Sequence, residues 1–303
     1  MRNTLRALTY HIGFRYQKAR GRDASARRRA QSVFAEKSLI FCVTNGRSGT
    51  KALTALFERL PHVHACHEDK PSFHLLMRWV QQNPELAQDF WLHQKLPEIA
   101  RSEKPIYLDT SHLFAKGFIE PLLAIGGRPK MVFLKREPRL IAKSMLALGD
   151  IPGRSKRALK WYLTPDDPVF LRLADANRLS DYQLCYWHAL ETEARQDHYR
   201  KLCRTHNLGL AEAETRTLND LTAFETLCRE LEIDLTNADR ENLRQQIGST
   251  INSRSAEKKA STSFPVDYEE AEAEVRQLVS PVQPVTKARS VVRNYLSTAL
   301  KQI

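Results

Sequence analysis

The 303-residue chain has no long hydrophobic run. Its apolar stretches, such as residues 131–134, are only a few residues long, whereas a helix that spans a membrane needs about 20. The N-terminus lacks the uncharged apolar segment of a secretory signal peptide. The sequence therefore predicts neither a transmembrane segment nor an exported protein.

Cysteine and glycine are also scarce. The five cysteines are an odd number, scattered from Cys42 to Cys228 without paired spacing, so they predict neither a disulfide framework nor a zinc site. A reduced, cytoplasmic protein is the expectation. With only 11 glycines, 42% apolar and 27% charged residues, the composition excludes collagen-like and largely disordered chains and predicts a sizeable core.

Positive charge is in excess, with 47 Lys and Arg against 35 Asp and Glu, a formal net charge of +12. Residues 1–30 carry nine basic side chains against the single acid Asp23, so this segment supplies most of the excess. Apolar residues of the same segment recur at helical spacing on one face. They are Met1, Leu5, Leu8, Ile12 and Tyr16.

The pattern predicts a basic N-terminal arm over residues 1–35 that forms an amphipathic helix, ahead of a single domain over residues 36–303. Such a helix can lie on an anionic surface, which gives residues 1–30 a peripheral contact with the inner membrane surface. A solvated arm, a helix that docks on a protein partner and a mitochondrial targeting segment are the alternatives. Nucleic-acid binding is not expected, because basic and aromatic residues do not interleave in the body of the chain.

Short apolar runs alternate with helical patterns along the rest of the sequence. Strands are predicted over residues 38–44, 63–66, 105–109, 130–135 and 208–216. Helices are predicted over residues 51–60, 116–125, 138–148, 171–207, 221–247 (two helices) and 286–302, with a loop over 248–265. This alternation predicts a three-layer α/β domain, in which helices cover both faces of a central, mainly parallel β-sheet.

A glycine-bearing turn between the first strand and the first helix predicts a phosphate site. Its residues are Gly46, Arg47, Ser48, Gly49, Thr50 and Lys51. Backbone N–H groups and the helix N-terminus attract an anion there, and the hydroxyl and basic side chains add donors and charge. Only two residues separate the two glycines, whereas the phosphate loop of ATPases has four, which argues against an ATPase.

Residues 43–53 resemble the loop that binds the 5′-phosphosulfate in sulfotransferases, whose donor is 3′-phosphoadenosine-5′-phosphosulfate (PAPS). The family usually has Arg/Lys-Ser-Gly-Thr-Thr, and Lys51 stands here in place of the second Thr. The resemblance implies a P-loop-like sulfotransferase fold that binds PAPS, releases adenosine 3′,5′-bisphosphate and needs no metal.

A second element is similar to the site for the 3′-phosphate in the same family. Arg136 follows the predicted strand 130–135, and Ser144 lies eight residues further on in the next helix. The resemblance covers roughly residues 38–235 and is weaker over 214–235, where Asn219-Asp220-Leu221 matches the family pattern in part. Three later residues lie where the family often has a further donor-binding loop: Asn252, Lys258 and Lys259.

Sulfuryl transfer requires a base for the acceptor hydroxyl and positive charge at the departing phosphate. Arg47 and Lys51 are the candidates for the charge. Glu68 resembles the glutamate of tyrosylprotein-type and carbohydrate-type enzymes, and His112 resembles the histidine of the cytosolic small-molecule enzymes. A histidine starts near the required pKa, whereas a carboxylate needs burial to raise its pKa. The resemblance favours Glu68 as the base, with His112 as the base or as a residue that orients the substrate.

The predicted function is transfer of the sulfuryl group of PAPS to a hydroxyl of an acceptor, a glycan or glycolipid, by a cytoplasmic enzyme. The alternative is a non-catalytic nucleotide-binding module of the same fold that docks to a membrane or a protein partner. Four histidines lie near the first predicted helix and could suggest a metal site, but their spacing fits no standard metal site. They are His62, His64, His67 and His74.

Overall fold

The computed structural model describes residues 22–247 and 267–282. The predicted loop 248–265 and the predicted helix 286–302 lie outside these residues. So do the first 21 residues of the predicted arm and the three candidate donor-binding residues Asn252, Lys258 and Lys259.

Five parallel strands form the central sheet, in the order β2-β3-β1-β4-β6. Their bounds are β1 Ser38–Thr44, β2 Val63–Cys66, β3 Ile106–Asp109, β4 Lys130–Lys135 and β6 Leu210–Glu214. Six of the seven residues of β1 are buried, as expected for a parallel strand that is covered on both faces. Because all five strands run the same way, the loops that follow them lie along one edge of the sheet.

Twelve α-helices lie in the described residues. They are α1 Arg22–Glu36, α2 Thr50–Phe57, α3 Met77–Val80, α4 Pro84–Phe90, α5 Leu96–Ala100, α6 Ile119–Ala124, α7 Pro138–Ala147, α8 Ala158–Trp161, α9 Asp181–His206, α10 Leu221–Glu230, α11 Asn237–Ile247 and α12 Tyr268–Leu278. A π-helical turn over Trp91–Lys95 joins α4 to α5. Short 3₁₀ turns cover Phe73–Leu75, Ala176–Arg178 and Thr215–Thr217.

Alternate residues of the strands pack into separate cores on the two faces of the sheet. Phe41 and Val43 belong to a core with α1, α4 and α5, whereas Ile40 and Cys42 belong to a core with α2, α10 and α11. This follows from the period of two along a strand, which sends neighbouring side chains to opposite faces. The predicted three-layer α/β architecture is confirmed.

The predicted helix 171–207 is wrong in its first ten residues. Leu171–Leu173 forms strand β5, which pairs antiparallel with β7, Val279–Pro281, in a separate two-stranded sheet. Helix α9 begins only at Asp181, where the side chain of Ser180 accepts a hydrogen bond from the backbone N–H of Gln183 in a capping box. Because the partner of β5 is some 100 residues further along the chain, the local sequence pattern does not show this pairing.

Helix α1 contains the second part of the predicted basic arm. Its residues Ala26, Ala30 and Val33 recur at helical spacing and are buried in the core, whereas its arginines 27–29 are exposed. This part of the predicted arm therefore packs on the core of the domain.

None of the described helices is both long and apolar enough to cross a membrane. The five cysteines all lie in the described residues, where they are buried as free thiols.

Candidate functional site

The glycine-bearing loop leaves the centre of the sheet, between the end of β1 and the start of α2. Gly49 has a φ of 80°, and a Cβ atom at this position would lie 3.0 Å from Cγ2 of Thr215. Both the backbone conformation and the close approach require glycine here. Arg47 also has a positive φ, 75°, so the loop turns tightly just before the N-terminus of α2. The arrangement is suited to an anion, because backbone N–H groups at a helix N-terminus attract negative charge.

The loop contacts the second predicted element, which follows β4. Nε of Arg47 donates a hydrogen bond to Oγ of Ser144 at 3.1 Å, and Nη1 of Arg136 donates to the carbonyl oxygen of Arg47 at 2.5 Å. Burial and the charge of Arg47 lower the pKa of Arg136. We call Arg47, Arg136 and Ser144 the arginine cluster. Two adjacent guanidinium groups repel each other, and an anion between them would relieve that repulsion.

The other residues of the loop differ in exposure. Ser48 is buried, and its Oγ has no hydrogen-bond partner in the described residues. Thr50 is buried at the first position of α2, and Lys51 is exposed on the first turn of that helix. Gly46 lies against Tyr162, since a Cβ atom on Gly46 would lie 2.8 Å from the hydroxyl oxygen of that tyrosine. Tyr162 therefore covers the start of the loop.

Thr215, which the sequence analysis did not identify, holds the loops after β1 and β4 together. Its Oγ1 lies 2.7 Å from the carbonyl oxygen of Ser48 and 3.0 Å from that of Lys135, within donating distance of both. Thr215 directly follows β6, the neighbour of β4. A threonine at a strand end is too common to signal such a role in a sequence.

The two candidate bases lie side by side. Glu68 follows β2 and His112 follows β3, and these two strands are neighbours in the sheet. Oε1 of Glu68 lies 2.8 Å from Nδ1 of His112. Glu68 has a φ of 61°, a left-handed conformation that is costly for a residue other than glycine and is often found at functional sites. We call these two residues the Glu–His pair.

The environment of the Glu–His pair sets its charge. Burial alone would raise the pKa of Glu68, but the hydrogen bond and charge of His112 outweigh burial and lower that pKa to about 2. Burial lowers the pKa of His112 and the charge of Lys116 adds to this, while Glu68 opposes both. Glu68 is therefore ionised at neutral pH. The imidazolium form of His112 loses its proton more readily than that of a free histidine.

A buried lysine and a backbone carbonyl complete the surroundings of the pair. The carbonyl oxygen of Trp161 accepts a hydrogen bond from Nζ of Lys116 at 3.1 Å and lies 3.2 Å from Nε2 of His112. Lys116 is only 2% exposed, and burial, with the nearby charge of Arg195, lowers its pKa to about 7. Both ring nitrogens of His112 thus face protein groups, Glu68 on one side and Trp161 on the other.

Tyr162 lies between the loop and the Glu–His pair. Its ring centroid is 5.4 Å from that of His112, and its hydroxyl covers Gly46. Burial raises the pKa of Tyr162, while Arg47 lowers it and Glu68 raises it through their charges. Tyr162 is therefore close to both the loop, through Arg47, and the Glu–His pair, through Glu68. No motif in the sequence pointed to this tyrosine.

A cleft of about 480 Å³ opens beside the loop, at the ends of β4 and β6. Lys135, Glu214, Arg216 and Leu218 contribute to its lining, and Cδ1 of Leu218 also approaches the Cβ position of Gly49 at 3.2 Å. Its volume is within the range of about 300–1,000 Å³ that is typical of small-molecule sites.

The fold and the site define an α/β protein with a glycine-bearing loop and a carboxylate–histidine pair at the carboxyl edge of a parallel sheet. No protein-family model matches the chain, and no curated protein matches its sequence. Among solved structures, the chain is similar to a sulfotransferase domain from the curacin biosynthetic pathway, with 11% sequence identity and a TM-score of 0.42 over 85% of this chain and 97% of that chain.

Proposed function

We propose that the protein is a sulfotransferase that moves the sulfuryl group of PAPS to a hydroxyl of an acceptor. The observation that carries the proposal is the arginine cluster, in which the loop after β1 meets the Arg136–Ser144 element after β4. These two elements resemble the sites for the 5′-phosphosulfate and the 3′-phosphate of one donor. Their direct contact supports a single donor site, because the two ends of one nucleotide must be held close together.

The adenosine of the donor is assigned to the cleft beside the loop. The cleft adjoins the loop through Leu218, and its lining offers both an apolar wall at Phe224 and carboxylates at Glu214 and Asp220. An apolar wall suits the face of a base, and carboxylates can accept hydrogen bonds from the amino group of a base or from ribose hydroxyls.

Glu68, rather than His112, is the proposed base. The two nitrogens of His112 face Glu68 and the Trp161 carbonyl, so neither is open to an acceptor. The Glu68 side chain is 20% exposed, and His112 lies against only one of its oxygens, Oε1. His112 therefore acts as a positioning residue that fixes Oε1, while Oε2 receives the proton of the acceptor.

The proposed reaction is an in-line displacement at the sulfur atom. The acceptor oxygen forms a bond to sulfur, the bond between sulfur and the oxygen of the 5′-phosphate breaks, and the hydroxyl proton passes to Glu68. Arg47 and Lys51 meet the negative charge that develops on the departing phosphate. The hydroxyl becomes strongly acidic as its oxygen bonds to sulfur, so a carboxylate with a low pKa can still accept the proton late in the step.

Calorimetric titration with adenosine 3′,5′-bisphosphate, against ATP and GTP, tests the donor site. We expect the bisphosphate to bind at least tenfold more tightly, because ATP and GTP lack the 3′-phosphate that Arg136 and Ser144 would hold. A preference for ATP or GTP would refute the proposal and indicate a kinase-like or regulatory protein.

Transfer from ³⁵S-labelled PAPS to a panel of glycan and glycolipid acceptors tests the reaction. Labelled product that depends on Glu68 supports the enzyme. Tight binding of the bisphosphate with no transfer to any acceptor would instead favour the non-catalytic nucleotide-binding module.

A further inference from the structure

The short helix α8, followed by Tyr162, lies beside the Glu–His pair, and its backbone is held by two cations, the half-buried Arg78 and the buried Lys116. Arg78 donates from Nε to the carbonyl oxygen of Leu159 at 3.1 Å and from Nη2 to that of Tyr162 at 2.7 Å. Lys116 donates to the carbonyl oxygen of Trp161, which lies between these two residues in the sequence. Three carbonyls within four residues are thus fixed by side chains from other elements, so the outer face of α8 has a defined position relative to the pair.

Three side chains share one face of this turn, because Arg157, Lys160 and Trp161 are spaced at i, i+3 and i+4. The indole of Trp161 is half-buried, and its centroid lies 6.4 Å from that of the His112 ring. Nζ of Lys160 lies 4.6 Å from the same indole centroid. The ring centroid of His74 also lies 4.7 Å from that of the indole. An aromatic side chain and an exposed cation therefore lie together beside His112 of the Glu–His pair.

The segment around α8 carries uncompensated positive charge. Residues 151–161 contain four basic side chains and no acid. Arg154 and Arg157 pair with the carboxylates of Asp181 and Asp150. The two lysines of the segment, 156 and 160, are exposed, and neither has a carboxylate partner within residues 22–247 and 267–282. These two ammonium groups can therefore form ion pairs with a negatively charged ligand.

We infer that this face of α8 binds the acceptor and selects one that carries a negative charge on a sugar ring, as a hexuronic acid does. The inference rests on the proposed function. The apolar face of the ring packs on Trp161, the carboxylate pairs with Lys160, and a hydroxyl of the ring is directed toward Glu68. Aromatic side chains with a few placed polar or charged groups are typical of small-molecule sites, and charge complementarity supplies the selection against neutral sugars.

The test uses two probes that differ only at C6, methyl β-D-glucuronide and methyl β-D-glucoside, and needs neither donor nor transfer. Binding is followed by NMR through the indole N–H signal of Trp161, which is assigned with the variant Trp161→Phe. In the wild-type protein we expect the glucuronide to bind about two- to fivefold more tightly than the glucoside, the range that an exposed ion pair supplies.

The variant Lys160→Gln should reduce this preference to near equality without changing the affinity for the glucoside. Lys201→Gln, which removes an exposed lysine on α9, is the matched control and should keep the preference. Equal binding of the two sugars, an unchanged preference in Lys160→Gln, or no shift of the Trp161 signal with either sugar would overturn the inference. Failure of the donor site would be seen separately, as a loss of bisphosphate binding with the sugar preference intact.

Discussion

Replacing Arg136 with alanine should weaken the binding of adenosine 3′,5′-bisphosphate far more than that of adenosine 5′-monophosphate. A hydrogen bond to a charged partner contributes about 1.5–3 kcal/mol, and 1.4 kcal/mol corresponds to about a factor of ten in affinity. Loss of the contact to the 3′-phosphate should therefore raise the dissociation constant of the bisphosphate about 10- to 100-fold.

Arg136 also donates to the carbonyl oxygen of Arg47, so its removal loosens the loop itself. That contribution is common to both nucleotides and corresponds to about 0.5–1.5 kcal/mol for an ordinary hydrogen bond. The ratio of the two losses thus isolates the contact with the 3′-phosphate. Arg136→Lys keeps the charge without the planar fork and should show an intermediate loss.

Isothermal titration calorimetry on the folded variants measures both dissociation constants. Arg204→Ala, which removes an exposed arginine near the end of α9, is the control for a general loss of positive charge. An equal loss for the two nucleotides, or a loss below threefold for the bisphosphate, would show that Arg136 does not contact a 3′-phosphate.

Further predictions concern the base, the loop and the arm. Glu68→Gln should lower kcat for transfer at least about 100-fold with bisphosphate affinity unchanged, the usual effect of losing a general base; wild-type turnover would contradict the assignment. NMR titration should give His112 a pKa below its ordinary value of 6.5, and lower still in Glu68→Gln, because the carboxylate raises it; a rise in the variant would contradict the pairing. Gly49→Ala should reduce the free energy of unfolding in urea by about 1–3 kcal/mol, and by more than Gly126→Ala, where φ is also positive but nothing lies within 4 Å; equal losses would show that the contact with Thr215 is harmless. Deleting residues 1–21, which leaves α1 intact, should abolish flotation with anionic liposomes; unchanged flotation would rule out this segment as the membrane contact.

Local sequence pattern was sufficient for several elements of the fold. Strands β1, β2 and β4 have the predicted bounds, because each is a short apolar run with β-forming residues, closed by glycine, proline or charged residues. The loop after β1 could also be predicted, since its glycines and basic residues lie within six consecutive positions. That Arg136 lies near this loop was predicted from the family resemblance. The physical basis is the parallel pairing of β1 with β4, which places the residues after both strands at the same edge.

The sequence by itself determined the alternation of the five strands of the central sheet with helices, and the residue types available for chemistry, since both depend on neighbours along the chain. The tertiary structure decided which of those residues meet. Glu68 and His112 were alternatives in the sequence and form one pair in the structure, because the parallel pairing of β2 with β3 places their loops at the same edge. Tyr162 and Thr215 joined the site for the same reason: they contact residues more than 100 positions away, and no local pattern records such a contact.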